Sequence, residues 1–160
     1  MNLILDYITE TEERFLIDKI LKDHEHLDFG KTGGKRSGIY RYGLKKHHPD
    51  RLVSESIPDY LKLEIGEYYN SVTINEYNAG DIIDWHIDKP NLGEVISIIS
   101  LMSDSTILFR EKANKSNIKE YLLPRRSLFR MFGEMRYKWE HYLKAENKRI
   151  SLIYRNIAKS

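Results

Sequence analysis

The sequence predicts a mainly β chain with flanking helices, an α+β protein whose short strands close into a sandwich or barrel. Three observations carry this. From Val72 onward, short apolar segments recur between turn-forming clusters. Helical periodicity is confined to roughly the first 70 residues. The 160 residues are 41% hydrophobic and 31% charged, the balance of one globular domain large enough to bury a core. The expected layout is a single domain over 1–160, with a helical and lid part over about 1–70 and a β core over about 71–158.

The elements follow in order. Leu3 to Ile8 reads as a short strand. Thr9 and Glu12 fit a capping box, Thr9 capping the helix and Glu12 reaching back three residues later. The helix should run to about Asp23, with Phe15, Leu16, Ile20 and Leu21 as its apolar stripe. Ile57 to Tyr69 reads as a second helix starting near Pro58, with Tyr60, Leu61, Ile65 and Tyr68 on one side. Strands are expected at Val72–Tyr77 and Ile82–Asp88, separated by the turn Asn78–Asp81 and ended by Lys89–Gly93. Val95–Leu101 is a nearly continuous apolar run. Thr106–Arg110, Glu120–Leu122, Leu128–Phe132 and the strand-like run Met131–Trp139 come next, and Arg149–Ile157 is the last strand.

Charge and cysteine content narrow the function classes. The chain has no cysteine, which excludes disulfides, zinc ribbons and thiol catalysis. The net charge of +2 is nearly balanced. Residues 31–51 depart from that balance, with seven basic residues against one acid, Asp50. Tyr40 and Tyr42 interleave with those charges, and Gly30, Gly33, Gly34 and Gly38 make the stretch mobile. Basic residues neutralise phosphates and aromatic rings stack on unpaired bases, so the stretch suits a nucleic-acid lid. A solvated Gly-rich loop explains the same residues. Met1 to Ile8 has neither a basic n-region nor a long apolar h-region, and no apolar run approaches the ~20 residues a bilayer span needs. An intracellular, soluble protein, cytoplasmic or nuclear and monomeric, is expected.

The stretch Asn75 to Asp88 holds the candidate chemistry. It ends in His86-X-Asp88, and residues two apart on a strand share a face. An imidazole and a carboxylate aimed at one point are two ligands of the two-His, one-carboxylate triad that holds catalytic Fe(II). The third must come from His24, His26, His47, His48 or His141. His24 and His26 lie beyond the first helix and His47-His48 in the basic stretch, all read as solvent-facing, so His141 is the best candidate. On the last strand Arg149, Ser151 and Arg155 stand at even offsets, facing one side, with Ile150, Leu152 and Tyr154 facing the other. Two inward arginines call for anions, and a dicarboxylate would meet both. Asn75 and Tyr77 share a face and could donate to the same anion.

Taken together, Asn75-X-Tyr77-X-X-Gly80, His86-X-Asp88, the run Leu123 to Glu134 leading to His141, and Arg149-X-Ser151-X-X-X-Arg155 resemble the AlkB-type Fe(II)/2-oxoglutarate dioxygenases. Leu123-Pro-Arg-Arg-Ser127 and Arg136-Tyr-Lys-Trp-Glu-His141 are most similar to the tRNA-wobble-modifying branch. The resemblance implies a double-stranded β-helix, or jelly roll, with helices outside. It implies that His86, Asp88 and His141 bind Fe(II), and that Arg149 pairs with the distal carboxylate of 2-oxoglutarate. By the same match Asn75, Tyr77 and Ser151 assist, and Arg155 sits near the end of the cosubstrate close to the metal. O2 would be the oxidant. The segment Arg36 to Gly43, with Arg36, Tyr40, Arg41 and Tyr42, matches the position of the nucleotide-recognition lid. The implied activity is oxidative demethylation or hydroxylation of a modified base in DNA or RNA. Two departures bear on the substrate. Pro90 stands where the bacterial DNA-repair member carries a second acid, and Tyr142 stands where many members have Gly. Two other readings share the residues: the same oxygenase chemistry on a protein side chain or small molecule, and a metal-free binding module that keeps the fold.

Overall fold

A computed structural model describes residues 1–24, 38–47 and 51–158, with the side chains of all of these except 45–47 and 51–53. Eleven strands and two α-helices are found among the described residues: β1 (Asn2–Ile4), α1 (Glu10–His24), β2 (Gly38–His47), β3 (Arg51–Glu55), β4 (Ser71–Tyr77), β5 (Ile82–His86), β6 (Ile96–Leu101), β7 (Ser105–Glu111), β8 (Ile118–Leu123), β9 (Leu128–Met131), α2 (Gly133–Tyr137), β10 (Trp139–Lys144) and β11 (Arg149–Arg155). They form two antiparallel sheets, a major one in the order β1-β9-β6-β11-β4-β2-β3 and a minor one in the order β5-β10-β7-β8. This is the mainly β jelly-roll arrangement.

The core has two layers, one on each face of the major sheet. Leu16 and Ile20 of α1 pack with Ile74, Leu101, Ile150 and Leu152 on the outer face. Tyr77, Ile98, Phe129 and Ile153 meet Ile107, Phe109 and Leu143 of the minor sheet on the inner face. Central strands are therefore covered on both sides, which is why β6 is an almost unbroken apolar run, all six residues buried. On β11 the alternation is as the spacing predicts: Ile150, Leu152 and Tyr154 join the outer layer, while Arg149, Ser151 and Arg155 face inward.

The capping box on α1 forms in both directions, Glu12 N to Thr9 Oγ1 and Thr9 N to Glu12 Oε1, each 3.0 Å. The stripe differs from expectation. Its buried positions are Glu13, Leu16, Ile20 and His24, and Phe15 and Leu21 are exposed. The polar ends of the stripe are partnered. Glu13 receives Arg125 and Arg126, and His24 places Nδ1 on Ile20 O and Nε2 on Tyr42 Oη. His24 is thus buried rather than solvent-facing, while His26 and His48 lie outside the described residues.

Three further expectations are corrected. Ile57 to Tyr69 is no helix: a single 3-10 turn, Asp59–Leu61, gives way to irregular chain. Its carbonyls are taken by side chains instead of by helical N–H groups. Tyr154 Oη donates to Leu61 O (2.7 Å), Tyr69 Oη to Leu63 O (2.8 Å), Tyr7 Oη to Glu64 O and Arg130 to Ile65 O. Gly66 then adopts φ 76, which stops any continuation. Residues 38–47, expected as part of a mobile lid, form β2, paired to β4 and β3. Gly43 marks the closest approach, since a Cβ there would lie 2.1 Å from Asn70 O. Gly30, Gly33, Gly34, Lys31, Lys35 and Arg36 lie outside the described residues. The run Met131–Trp139 is interrupted by α2, which begins at Gly133 with φ 62.

Candidate metal and cosubstrate site

The site lies between the sheets, where β5 and β10 of the minor sheet face β11 of the major one. His86 and His141 are direct register partners on β5 and β10. The pairing shifts register between His141 and Leu143, so three residue steps on β5, from Ile83 to His86, span the distance that two cover on β10. That bulge lets Ile83 and His86 both face inward and turns Trp85 outward, where its ring lies 5.3 Å from that of Tyr142 and under the Arg110 guanidinium. Tyr142, a departure in the sequence, is therefore an outward-facing partner of Trp85.

β5 ends at His86, and Asp88 stands beyond it. Strand parity therefore does not aim Asp88, contrary to the expectation of a strand through that residue. Two arginines hold it instead. Arg155 Nε and Nη2 both donate to Asp88 Oδ2, at 3.0 and 2.8 Å, and Arg136 Nη1 donates to the Asp88 main-chain oxygen at 2.8 Å. This leaves Oδ1 directed at the two imidazoles, 3.2 Å from His86 Nε2 and 4.0 Å from His141 Nε2. The ligand atoms of His86, Asp88 and His141 all lie within 4.8 Å of one another, and no other such group is found among the described residues.

The protonation states suit a cation. His86 Nδ1 lies 2.8 Å from Asp84 O, an acceptor, so the ring proton belongs on Nδ1 and Nε2 presents its lone pair. His86 Nε2 and Asp88 Oδ1 face each other at 3.2 Å, close enough to share a proton or a metal cation. Burial by itself would raise the Asp88 carboxyl, but the Arg155 charge overrules it and holds it well below the usual carboxylate range. Burial, reinforced by His86, lowers His141 to about 3, so its ring is neutral and able to ligate.

Beside this cluster a cavity of about 50 Å³ runs under β11, lined among others by Tyr77, Leu123, Met131, Arg149, Ser151 and Arg155. Arg149 is 1% exposed. Its Nη2 donates to Ser100 Oγ at 3.0 Å and its guanidinium carbon lies 5.4 Å from the Tyr77 ring centre. Among the described residues its Nε has no hydrogen-bond partner and no carboxylate comes within salt-bridge distance. Burial pushes its pKa down. A buried guanidinium with an open donor, at the end of a cavity that starts at His86, Asp88 and His141, fits a dicarboxylate.

Most of the expected residues converge here: His86, Asp88, His141, Tyr77, Arg149, Ser151 and Arg155 all line the one cavity. Asn75 is fully buried on the same face, in register with Ser151, but the cavity wall at that level is Ser151. The lid set does not converge. Tyr42 is buried against α1, bonded to His24, and Tyr40 beside it donates to Glu55 at 2.8 Å. Both rings therefore lie on the outer face of the sheet and cannot stack on a base at the inner site. Arg41 has the opposite parity. Its register partner is Thr73, whose Oγ1 receives Arg155, so Arg41 lies on the site's face and is exposed. Arg36 lies outside the described residues. Sequence reading assigns no role to Ser100, or to Arg136 beyond its place in the motif that leads to His141. Ser100 carries a signal, as one of two serines, with Ser97, inside an otherwise apolar strand.

Comparison with known proteins agrees with this geometry. Residues 16–155 match the 2OG-Fe(II) oxygenase superfamily. The chain is 28% identical over 87% of its length to the tRNA (carboxymethyluridine(34)-5-O)-methyltransferase ALKBH8 of Macaca fascicularis, of which it spans 23%. Among solved structures it is similar to OsALKBH1, with TM-score 0.67, 15% identity and 97% of both chains covered. It is also similar to a Pseudomonas putida prolyl-4-hydroxylase, with TM-score 0.66, 12% identity, and 98% of this chain and 92% of that one covered. The chain thus belongs to the 2OG-Fe(II) oxygenase superfamily, dioxygenases that work with Fe(II), 2-oxoglutarate and O2, and it is similar to AlkB-like members.

Proposed function

We propose that this dioxygenase oxidises a modified base in a nucleic acid, with His86, Asp88 and His141 as the iron ligands and Arg149 as the clamp for the cosubstrate. The observation that carries the site assignment is the pairing of an open metal-ligating cluster with a buried, anion-seeking guanidinium along one cavity. His86, Asp88 and His141 would hold the iron by three donors, a set suited to Fe(II) oxygen chemistry. When bound, iron with 2-oxoglutarate and O2 supplies the oxidation of a substrate C–H bond coupled to decarboxylation of the cosubstrate.

The chain's own residues do the positioning. His86 presents Nε2 because Asp84 O fixes the proton on Nδ1. Arg155 engages Asp88 Oδ2 and keeps Oδ1 for the metal. Arg149 and Tyr77 hold the distal carboxylate, with Ser151 as wall and Asn75 behind it. Ile98, Ile107 and Leu143 keep the cavity apolar, which strengthens each charged contact made inside it. The nucleic-acid part of the reading is supported by the sequence likeness to tRNA-modifying proteins. It is also supported by the basic residues 31–51, of which Arg41 stands on the site's face.

The test is 2-oxoglutarate turnover to succinate with Fe(II) and ascorbate, for wild type and His86→Ala, with a panel of methylated and wobble-modified oligonucleotides. Turnover that needs His86 and rises with one modified oligonucleotide establishes the reading. Turnover that needs His86 but ignores every oligonucleotide moves the substrate to a protein side chain or metabolite. An inert wild type that still binds metal restores the binding-module reading.

A further inference from the structure

A second buried guanidinium lies beside the site, outside the lining of the cavity. Arg136 of α2 is 2% exposed. Its Nη1 donates to Asp88 O at 2.8 Å, its Nη2 to Lys89 O at 2.8 Å and its Nε to Gly93 O at 2.9 Å. Among the described residues no carboxylate lies within salt-bridge distance of it. The cation is met by main-chain dipoles and by the Tyr137 ring, 4.7 Å away. Three carbonyls of one short turn need three donors in a fixed plane, which a guanidinium supplies and an ammonium does not.

The turn so gripped is the one that carries Asp88 beyond the end of β5. Its far side is fastened to the chain just after Arg155. Ala158 N donates to Asn91 O at 2.9 Å, and Gly93, at φ 110, sits so close that a Cβ would lie 3.0 Å from Asn156 O. The residues after Arg136 lead directly into β10 and His141. Arg136 therefore stands where the segments bearing Asp88, Arg155 and His141 meet.

We propose that Arg136 is a positioning residue for the carboxylate ligand. Arg155 fixes Asp88 from its Oδ2, Arg136 fixes it from its main chain, and between them the direction of Oδ1 toward the imidazoles is set. With Arg136 removed, the turn keeps Arg155 as its one charged anchor, and Asp88 can follow Arg155 away from the histidines. The proposal rests on His86, Asp88 and His141 being the metal ligands.

The experiment measures Mn(II) affinity and the Co(II) absorption spectrum of the full chain under anaerobic conditions. It compares wild type, Arg136→Lys, Arg136→Gln and, as a destabilised control remote from the site, Glu13→Gln. The expected result is a loss of Mn(II) affinity of about ten- to a hundredfold in both Arg136 variants, smaller for lysine, the range typical of groups that orient ligands. The Co(II) band should change shape in these variants, while Glu13→Gln melts earlier with unchanged affinity and spectrum. Folded Arg136 variants that bind Mn(II) like wild type overturn the proposal. So does a loss of affinity that Glu13→Gln shares, and so does failure of both Arg136 variants to fold, which would assign the residue to the fold. A wild type that binds no Mn(II) refutes the metal site itself, a separate outcome.

Discussion

Glu13 and Asp88 are both buried carboxylates met by arginines, and they differ in what is left over. Glu13 is saturated: Arg125 donates to both its oxygens, Arg126 Nη1 to Oε1 and Met102 N to Oε2. Asp88 receives Arg155 on one oxygen, and the other faces two imidazoles. The arginines divide the same way. Arg136 spends its donors on three carbonyls, while Arg149 keeps Nε open. A buried charge with every valence met holds its surroundings in place, and one with a valence in reserve is open to a ligand.

Replacing each acid sharpens this contrast most. Asp88→Ala should abolish succinate production, a loss of at least roughly a hundredfold, and remove measurable Mn(II) binding; a variant that still binds Mn(II) would break the contrast. Glu13→Ala should leave Mn(II) affinity intact and lower the urea-unfolding free energy by about 3 kcal/mol, the low end for a broken buried pair because Arg125 is half exposed and can rehydrate.

The acid side of Glu13 gives a pH signature. Burial would raise its pKa, but the hydrogen bonds from Arg125, Met102 and Arg126 win, and the folded value lies below the ordinary 4.5. The unfolded chain then binds the proton first, so this stability is complete above the unfolded pKa and lost as pH falls through the folded one. Urea midpoints of wild type should converge on those of Glu13→Gln as pH drops below about 4. Midpoints that stay parallel would show that Glu13 is not the titrating group.

Arg149→Met tests the reserved cation. The KM for 2-oxoglutarate should rise about tenfold or more, while the melting temperature holds or increases, because an uncompensated buried charge is replaced by an apolar side chain. A fall in both would place Arg149 with the saturated groups. The smallest effects belong to β2. Arg41→Ala should weaken oligonucleotide binding a few-fold and reduce its log-salt slope by about one. Tyr40→Phe should cost about 1 kcal/mol of stability, from the lost bond to Glu55, with oligonucleotide affinity unchanged.

Much of this protein could be read from local sequence. The capping box at Thr9 and Glu12, the strand order of polar and apolar residues on β11, and the mostly apolar β6 depend on neighbours in the chain, and each forms as its spacing requires. The ligand set His86, Asp88 and His141 was named from residue types and a family pattern, and the three do converge. Tertiary structure decided the rest, because the deciding partners lie far along the chain. Tyr154 and Arg130 take carbonyls of residues 61–65 and prevent a helix there. Tyr42 spends its hydroxyl on His24 of α1, 18 residues away. Asp88 is aimed not by a strand but by Arg155 and Arg136, 67 and 48 residues away. Short-range pattern determined which face each strand residue takes; long-range pairing of buried polar groups determined which charges were satisfied and which were held open for a ligand.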